Sequence, residues 1–166
     1  MITHRTTRRI AATAAIAAVV VLSAVGVAVG TPPAGTSTKT TLADVTVQNR
    51  VNANVYPTKL RTRDLVEVAQ FANTAQPGFS SGWHVHTGPV VITVTAGSLT
   101  FYDRAGVDGS GCKVTIVSAG QGYIETPDQP ILARNEGSVE ADWITTQIIP
   151  VGGSQRVDVP GVCGVS

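Results

Sequence analysis

Apolar and polar positions alternate with a period of two along most of the chain from Asp64 onward, and that period predicts strands. Leu65–Phe71 sets Leu65, Val66, Val68 and Phe71 among Glu67 and Gln70, and Gln76, Pro77 and Gly78 supply the turn chemistry that ends it. Val90–Thr95 is β-branched throughout; Gly97 and Ser98 then turn the chain into Leu99–Asp103, where Leu99 and Phe101 alternate with Thr100 and Tyr102, the pattern of a hairpin. A loop over Arg104–Gly111 leads to Lys113–Val117, and further strands are expected at Tyr123–Thr126, Ile131–Asn135 and Val139–Ile149. Gly120 with Gly122, the Pro127–Pro130 turn, and Glu136 with Gly137 separate them. Closer to the N-terminus, Val45 and Val47 within Thr41–Val55 mark a first strand. Seven or so short strands at even spacing, with no helical period after residue 42, predict an all-β sandwich or closed barrel, specifically a jelly-roll-like barrel.

The first 30 residues follow a different pattern. Arg5, Arg8 and Arg9 precede an uncharged run from Ile10 to Gly30, and Ala28, Val29 and Gly30 have the small side chains of a signal-peptidase site. This is the pattern of an export signal; the alternative is a retained membrane anchor, since the run is long enough to span a bilayer. In either case the folded part is expected outside the cytoplasm, secreted or in the cell envelope. Residues 31–43, rich in Thr, Pro, Gly and Ser, read as a flexible linker, leaving residues 44–166 as the single folded domain.

Composition narrows the partners. The chain has 166 residues and a formal net charge of +1, with no Lys/Arg run beyond the first nine residues, so no basic surface for nucleic acid is expected. A membrane partner is expected only through residues 10–30 if they are uncleaved. An exposed barrel edge can pair isologously into a homodimer. Cys112 and Cys163 are the only cysteines, and in an exported chain they are expected to form a disulfide. That bridge would close a loop of about 50 residues, for which chain entropy sets a ceiling of roughly 4 kcal/mol. A thiolate metal site is the rival reading, but the two cysteines are not in a Cys-x-x-Cys pair.

The candidate chemistry lies in Gly78–Gly97. His84 and His86 are two apart, so an extended backbone turns both imidazoles to one face and Trp83 and Val85 to the other. Neutral imidazole ligates zinc, copper, iron and nickel, and a same-face pair offers two donors without backbone distortion. Trp83, Trp143, Tyr102 and Tyr123 are candidates for lining a pocket, with cross-strand packing as the alternative. There is no Gly-x-Ser-x-Gly nucleophile motif, and Gly109–Gly111 is too short, and too close to a strand, for a phosphate loop.

This stretch resembles the first motif of the cupins: a glycine, five residues, His-x-His, a glutamate a few residues on, and a closing glycine. Gly78, His84, His86 and Gly97 fall in register, whereas the glutamate slot holds Val90, and the next position is also Val. The second cupin motif is echoed by Gly122, Pro127 and Asn135, with Ile131 or Leu132 at its histidine slot. The resemblance covers about Leu65–Pro150. It implies a cupin barrel that keeps two of four usual metal ligands, and so a weakly held divalent ion such as Fe, Mn, Cu or Zn. Glu125 and Gln129, on or beside the Pro127–Pro130 turn, are candidate replacement donors; a solvated turn is the alternative for Glu125 and Asp128. Because imidazole ligates only when deprotonated, metal binding is expected to weaken as pH falls through about 6.5. The functions implied are a barrel binding a small molecule or weakly held metal, a metal-dependent enzyme of the dioxygenase or isomerase kind, or a non-catalytic structural module.

Overall fold

The computed structural model describes residues 30–104 and 111–165. The signal or anchor reading therefore falls almost wholly outside the described residues, as does most of the Arg104–Gly111 loop. The described residues form twelve strands: β1 Ser37–Val47, β2 Asn52–Val55, β3 Thr58–Arg61, β4 Val66–Ala75, β5 His84–Val85, β6 Val90–Ala96, β7 Ser98–Arg104, β8 Cys112–Ser118, β9 Gly122–Glu125, β10 Ile131–Arg134, β11 Ala141–Pro150 and β12 Val157–Asp158. The described residues contain no helix, hence none that could cross a membrane.

Ten of these strands form two five-stranded sheets, ordered β1-β4-β11-β6-β9 and β12-β5-β10-β7-β8, while β2 and β3 make a separate two-stranded ribbon. All pairings are antiparallel. Successive strands are shared between the two sheets, so the chain winds as a jelly roll, as its alternation predicts. In β6 the side chains of Val90, Ile92 and Val94 are buried while those between them face solvent. They meet Leu99, Phe101, Val117 and Ile131 of the facing sheet to form the core.

The Val90–Ala96 and Ser98–Arg104 segments are not the expected hairpin. They belong to different sheets, and Gly97 carries the chain across the barrel corner. Its φ of 62° lies in the left-handed region, and a Cβ there would sit 2.4 Å from the carbonyl oxygen of Glu140. Both a tight hairpin and a sheet-to-sheet corner place a glycine between two alternating runs, and only partner choice separates them. Strand β7 pairs instead with β8 and β10.

The stretch read as a linker is, from Ser37, the first half of β1, which pairs along its length with β4. The reason is physical: Thr-rich sequence suits an exposed edge strand as well as a linker, since neither buries an apolar face.

The disulfide between Cys112 and Cys163 is formed. It fastens the C-terminal tail to β8, and the tail in turn reaches the histidine segment. Strand β12 pairs with β5, Val159 N donates to Trp83 O at 3.0 Å, and the Trp83 indole Nε1 donates to Val165 O at 2.6 Å. Trp83 is fully buried on the side away from the histidines, so it packs the tail rather than lining a pocket.

Candidate functional site

His84 and His86 stand on one face, as their spacing predicts. Both are buried, Val85 between them is half-buried, and the two rings lie 4.8 Å apart in an edge-to-face arrangement. Each ring is oriented by a backbone carbonyl. His84 Nδ1 meets Gly82 O at 2.8 Å and His86 Nδ1 meets Gln155 O. A carbonyl only accepts, so both Nδ1 atoms carry hydrogen and both Nε2 atoms are left to face the barrel interior. Gly82 adopts a φ of 67° that lets the chain turn its carbonyl back onto the His84 ring.

A carboxylate completes the cluster. Glu125, at the end of β9, is buried, and its Oε2 lies 3.0 Å from His86 Nε2. One donor atom from each of His84, His86 and Glu125 lies within 4.8 Å of the other two. The route by which Glu125 arrives is specific. It stands opposite Val90 in the β6–β9 register, beside the very position that lacks the motif glutamate. The solvated-turn alternative for Glu125 therefore does not hold. Asp128 and Gln129, in contrast, are exposed, and the Asp128 amide donates to the His86 carbonyl at 2.9 Å, tying the turn to the histidine segment. Gln129 does not line the cavity that holds the histidines.

The second-motif histidine slot is apolar in fact as in sequence. Ile131 pairs with His84 across β10–β5 and joins the core, and Leu132 is fully buried. Asn135 acts structurally, bracing the adjoining turn. Its Nδ2 donates to Ala75 O and Val139 O at 2.9 Å each, and its Oδ1 accepts from Gly137 N.

Burial is the largest influence on His84, and the Arg156 guanidinium adds to it; together they push its pKa down to about 4. His84 is thus neutral across the ordinary range, and the expected loss of ligation near pH 6.5 does not arise from this ring. His86 and Glu125 have a different requirement. With Nδ1 committed as a donor, the approach of Nε2 to a carboxylate oxygen is favourable only with a proton or a cation between them.

The three side chains open onto a cavity of about 320 Å³. Phe71, Phe79, Leu99, Phe101 and Trp143 form its apolar wall, so Trp143 does line a pocket while Trp83 does not. Tyr123 packs instead, stacked on Phe101 with ring centroids 4.3 Å apart, and its hydroxyl donates to Asp103 at 2.6 Å. Tyr102 donates to Glu136 at 2.7 Å on the outside. Further polar groups that sequence reasoning missed line the cavity, Gln147, Lys39 and Arg156 among them. Gln147 was detectable in principle, because Thr145 and Gln147 are polar at inward positions of β11, where alternation calls for apolar residues. It lies one strand from Val90 in the row Gln147, Val90, Glu125, and its Oε1 is buried without a hydrogen-bond partner.

The structure thus joins a double-sheet jelly roll to a His-x-His pair and a glutamate that line its interior. This is the arrangement that the resemblance to the cupins implies. No family model matches the chain, and no curated protein matches it. Among solved structures, an oxalate oxidase in complex with the substrate analogue glycolate is 21% identical, with a TM-score of 0.44, covering 48% of this chain and 41% of its own. A double-stranded β-helix protein from Klebsiella pneumoniae is 23% identical, with a TM-score of 0.46, covering 57% and 76%. The oxalate decarboxylase of Bacillus subtilis, studied for its Mn(II) centres, is 16% identical, with a TM-score of 0.48, covering 55% and 23%. The chain spans less than half the length of the oxalate oxidases it matches.

Proposed function

We propose that this cupin barrel is an exported protein that holds a divalent metal through His84, His86 and Glu125 and takes a small organic ligand in the cavity beside it. One observation carries the reading: two imidazoles with their Nδ1 atoms held by carbonyls turn Nε2 toward one buried carboxylate. Metal-binding histidines are characteristically oriented in this way, by a hydrogen bond at the other ring nitrogen. The donor set also fits chemically. Bonds of about 2.0–2.2 Å to a shared ion put donors roughly 3–4 Å apart, and the three donor atoms here lie within 4.8 Å of one another. Two neutral nitrogens and one carboxylate suit Fe, Mn, Cu or Zn rather than calcium. When bound, such an ion supplies Lewis acidity at positions open to the cavity.

The chain's own residues supply the rest. Gly82 and Gln155 fix the imidazoles, Glu125 offsets positive charge, and an apolar wall lines the cavity beside the donors. A metal-dependent enzyme is the second reading, favoured by the fact that the cavity reaches the ligands directly, so a bound molecule can approach the ion.

Elemental analysis tests the metal. The full chain is produced in a host with an oxidising export compartment, purified without chelators, and compared with a His84→Ala/His86→Ala variant. About one equivalent of transition metal, lost in the variant, is expected; failure to hold any after reconstitution near neutral pH overturns the metal reading. Mass spectrometry of the same sample reads export, with a mature N-terminus at Thr31 expected.

A further inference from the structure

We propose that the mouth of the cavity is an anion subsite formed by Lys39 and Arg156, and that the ligand of this barrel is a small carboxylate with an aromatic or similarly apolar body. The proposal rests on the ligand-binding part of the reading above and not on the metal.

Lys39 and Arg156 come from opposite ends of the fold. Lys39 lies on the edge strand β1, Arg156 on the tail just before β12, and both line the cavity that contains His84. Neither cation is fully used. Lys39 Nζ lies 3.5 Å from the centroid of the Phe71 ring, and no carboxylate is within ion-pair distance of it among the described residues. Arg156 gives Nε to Asp158 at 2.7 Å and Nη2 to Ser81 O at 2.6 Å, and its Nη1 has no partner among the described residues. Two like charges facing one cavity repel, and Lys39 registers this. Partial burial, then the Arg156 guanidinium, hold its ammonium below the ordinary range, against the opposing pull of Asp44.

The nearby acids do not answer the pair. Asp158 is committed to one edge of Arg156, Glu125 to His86 deeper in the barrel, and Asp44 lies against Gln155. An anion between Lys39 and Arg156 would relieve the repulsion and satisfy the free guanidinium face with charge-assisted hydrogen bonds.

Behind the cations the cavity is apolar and aromatic, with Phe71, Phe79, Phe101 and Trp143. A volume of about 320 Å³ accommodates one ring and a short chain. A purely hydrocarbon occupant would leave the two cations unanswered.

The test is a calorimetric titration of the full chain with 3-phenylpropionate and with its neutral isostere 3-phenylpropanamide, with metal content measured on the same samples. The carboxylate is expected to bind about tenfold or more tighter than the amide, and Lys39→Met and Arg156→Gln are each expected to remove most of that difference, lowering carboxylate affinity far more than amide affinity. Lys39 is exposed on an edge strand, so its variant keeps the fold even if the loss of the Ser81 bond destabilises Arg156→Gln. Equal affinity for the two probes, carboxylate affinity indifferent to Lys39→Met, or no binding of either probe at millimolar concentration overturns the proposal. A protein that discriminates in this way but holds no metal would overturn the metal reading and leave the anion subsite standing; a metal-loaded protein that does not discriminate would do the reverse.

Discussion

Glu125 on β9 stands directly opposite Val90 on β6, so the carboxylate absent from one strand is presented from its neighbour. Paired positions of adjacent antiparallel strands have their Cβ atoms about 5 Å apart on the same face, close enough for a long side chain to serve the same point in space. The position that matches the cupin glutamate holds Val90 in the sequence, and Glu125 places a carboxylate beside it in three dimensions.

This relationship can be tested by exchange. Glu125→Val should lower metal affinity by at least the roughly 10–100-fold that losing a mere hydrogen-bond partner of a ligand costs. The double variant Val90→Glu/Glu125→Val should regain most of it, because the carboxylate returns to the same face one strand over. Chelator competition measures both, and a double variant no better than the single one would show that the Glu125 position has a role beyond supplying charge.

Acid should destabilise the metal-free protein through His84. Unfolded, this histidine takes up a proton near pH 6.5; folded, it does so only at about 4. Between those values the unfolded chain binds more protons, so stability is complete above pH 6.5, declines as pH falls, and loses no more from this group below about 4. The shift corresponds to about 3 kcal/mol over that window. Urea unfolding at several pH values, beside a His84→Gln variant whose profile should be flatter, measures it.

Removing the disulfide should affect the site as well as the fold. The tail held by Cys163 supplies the carbonyl of Gln155 to His86 and the strand β12 to β5. Cys112→Ser/Cys163→Ser should lose up to about 4 kcal/mol of stability. Metal affinity should fall with it, because the His86 ring is no longer oriented; thermal melts with and without metal separate the two effects.

Gln147→Leu should stabilise the ligand-free protein, by about 1–3 kcal/mol, since it removes a buried oxygen that has no partner. Gly97→Ala should do the opposite, costing about 1–3 kcal/mol for a side chain at positive φ, with the clash against the Glu140 carbonyl adding to it. Chemical denaturation midpoints read both.

Much of this was written in local pattern. Alternation of two, punctuated by glycine and proline, determined that the domain is all β, that His84 and His86 share a face and that Trp83 turns away from them, and the count of two cysteines in a chain read as exported suited a bridge. Each of these depends only on the geometry of an extended backbone or on there being a single pairing to make. Tertiary structure decided the rest. Whether Gly97 closes a hairpin or turns a barrel corner depends on which strands its neighbours pair with, and Thr-rich sequence reads alike whether it is a linker or the edge strand β1. Above all, Glu125, Gln147, Lys39 and Arg156 reach one cavity from four separate segments, and no spacing along the chain encodes a register between strands that sequence does not place side by side.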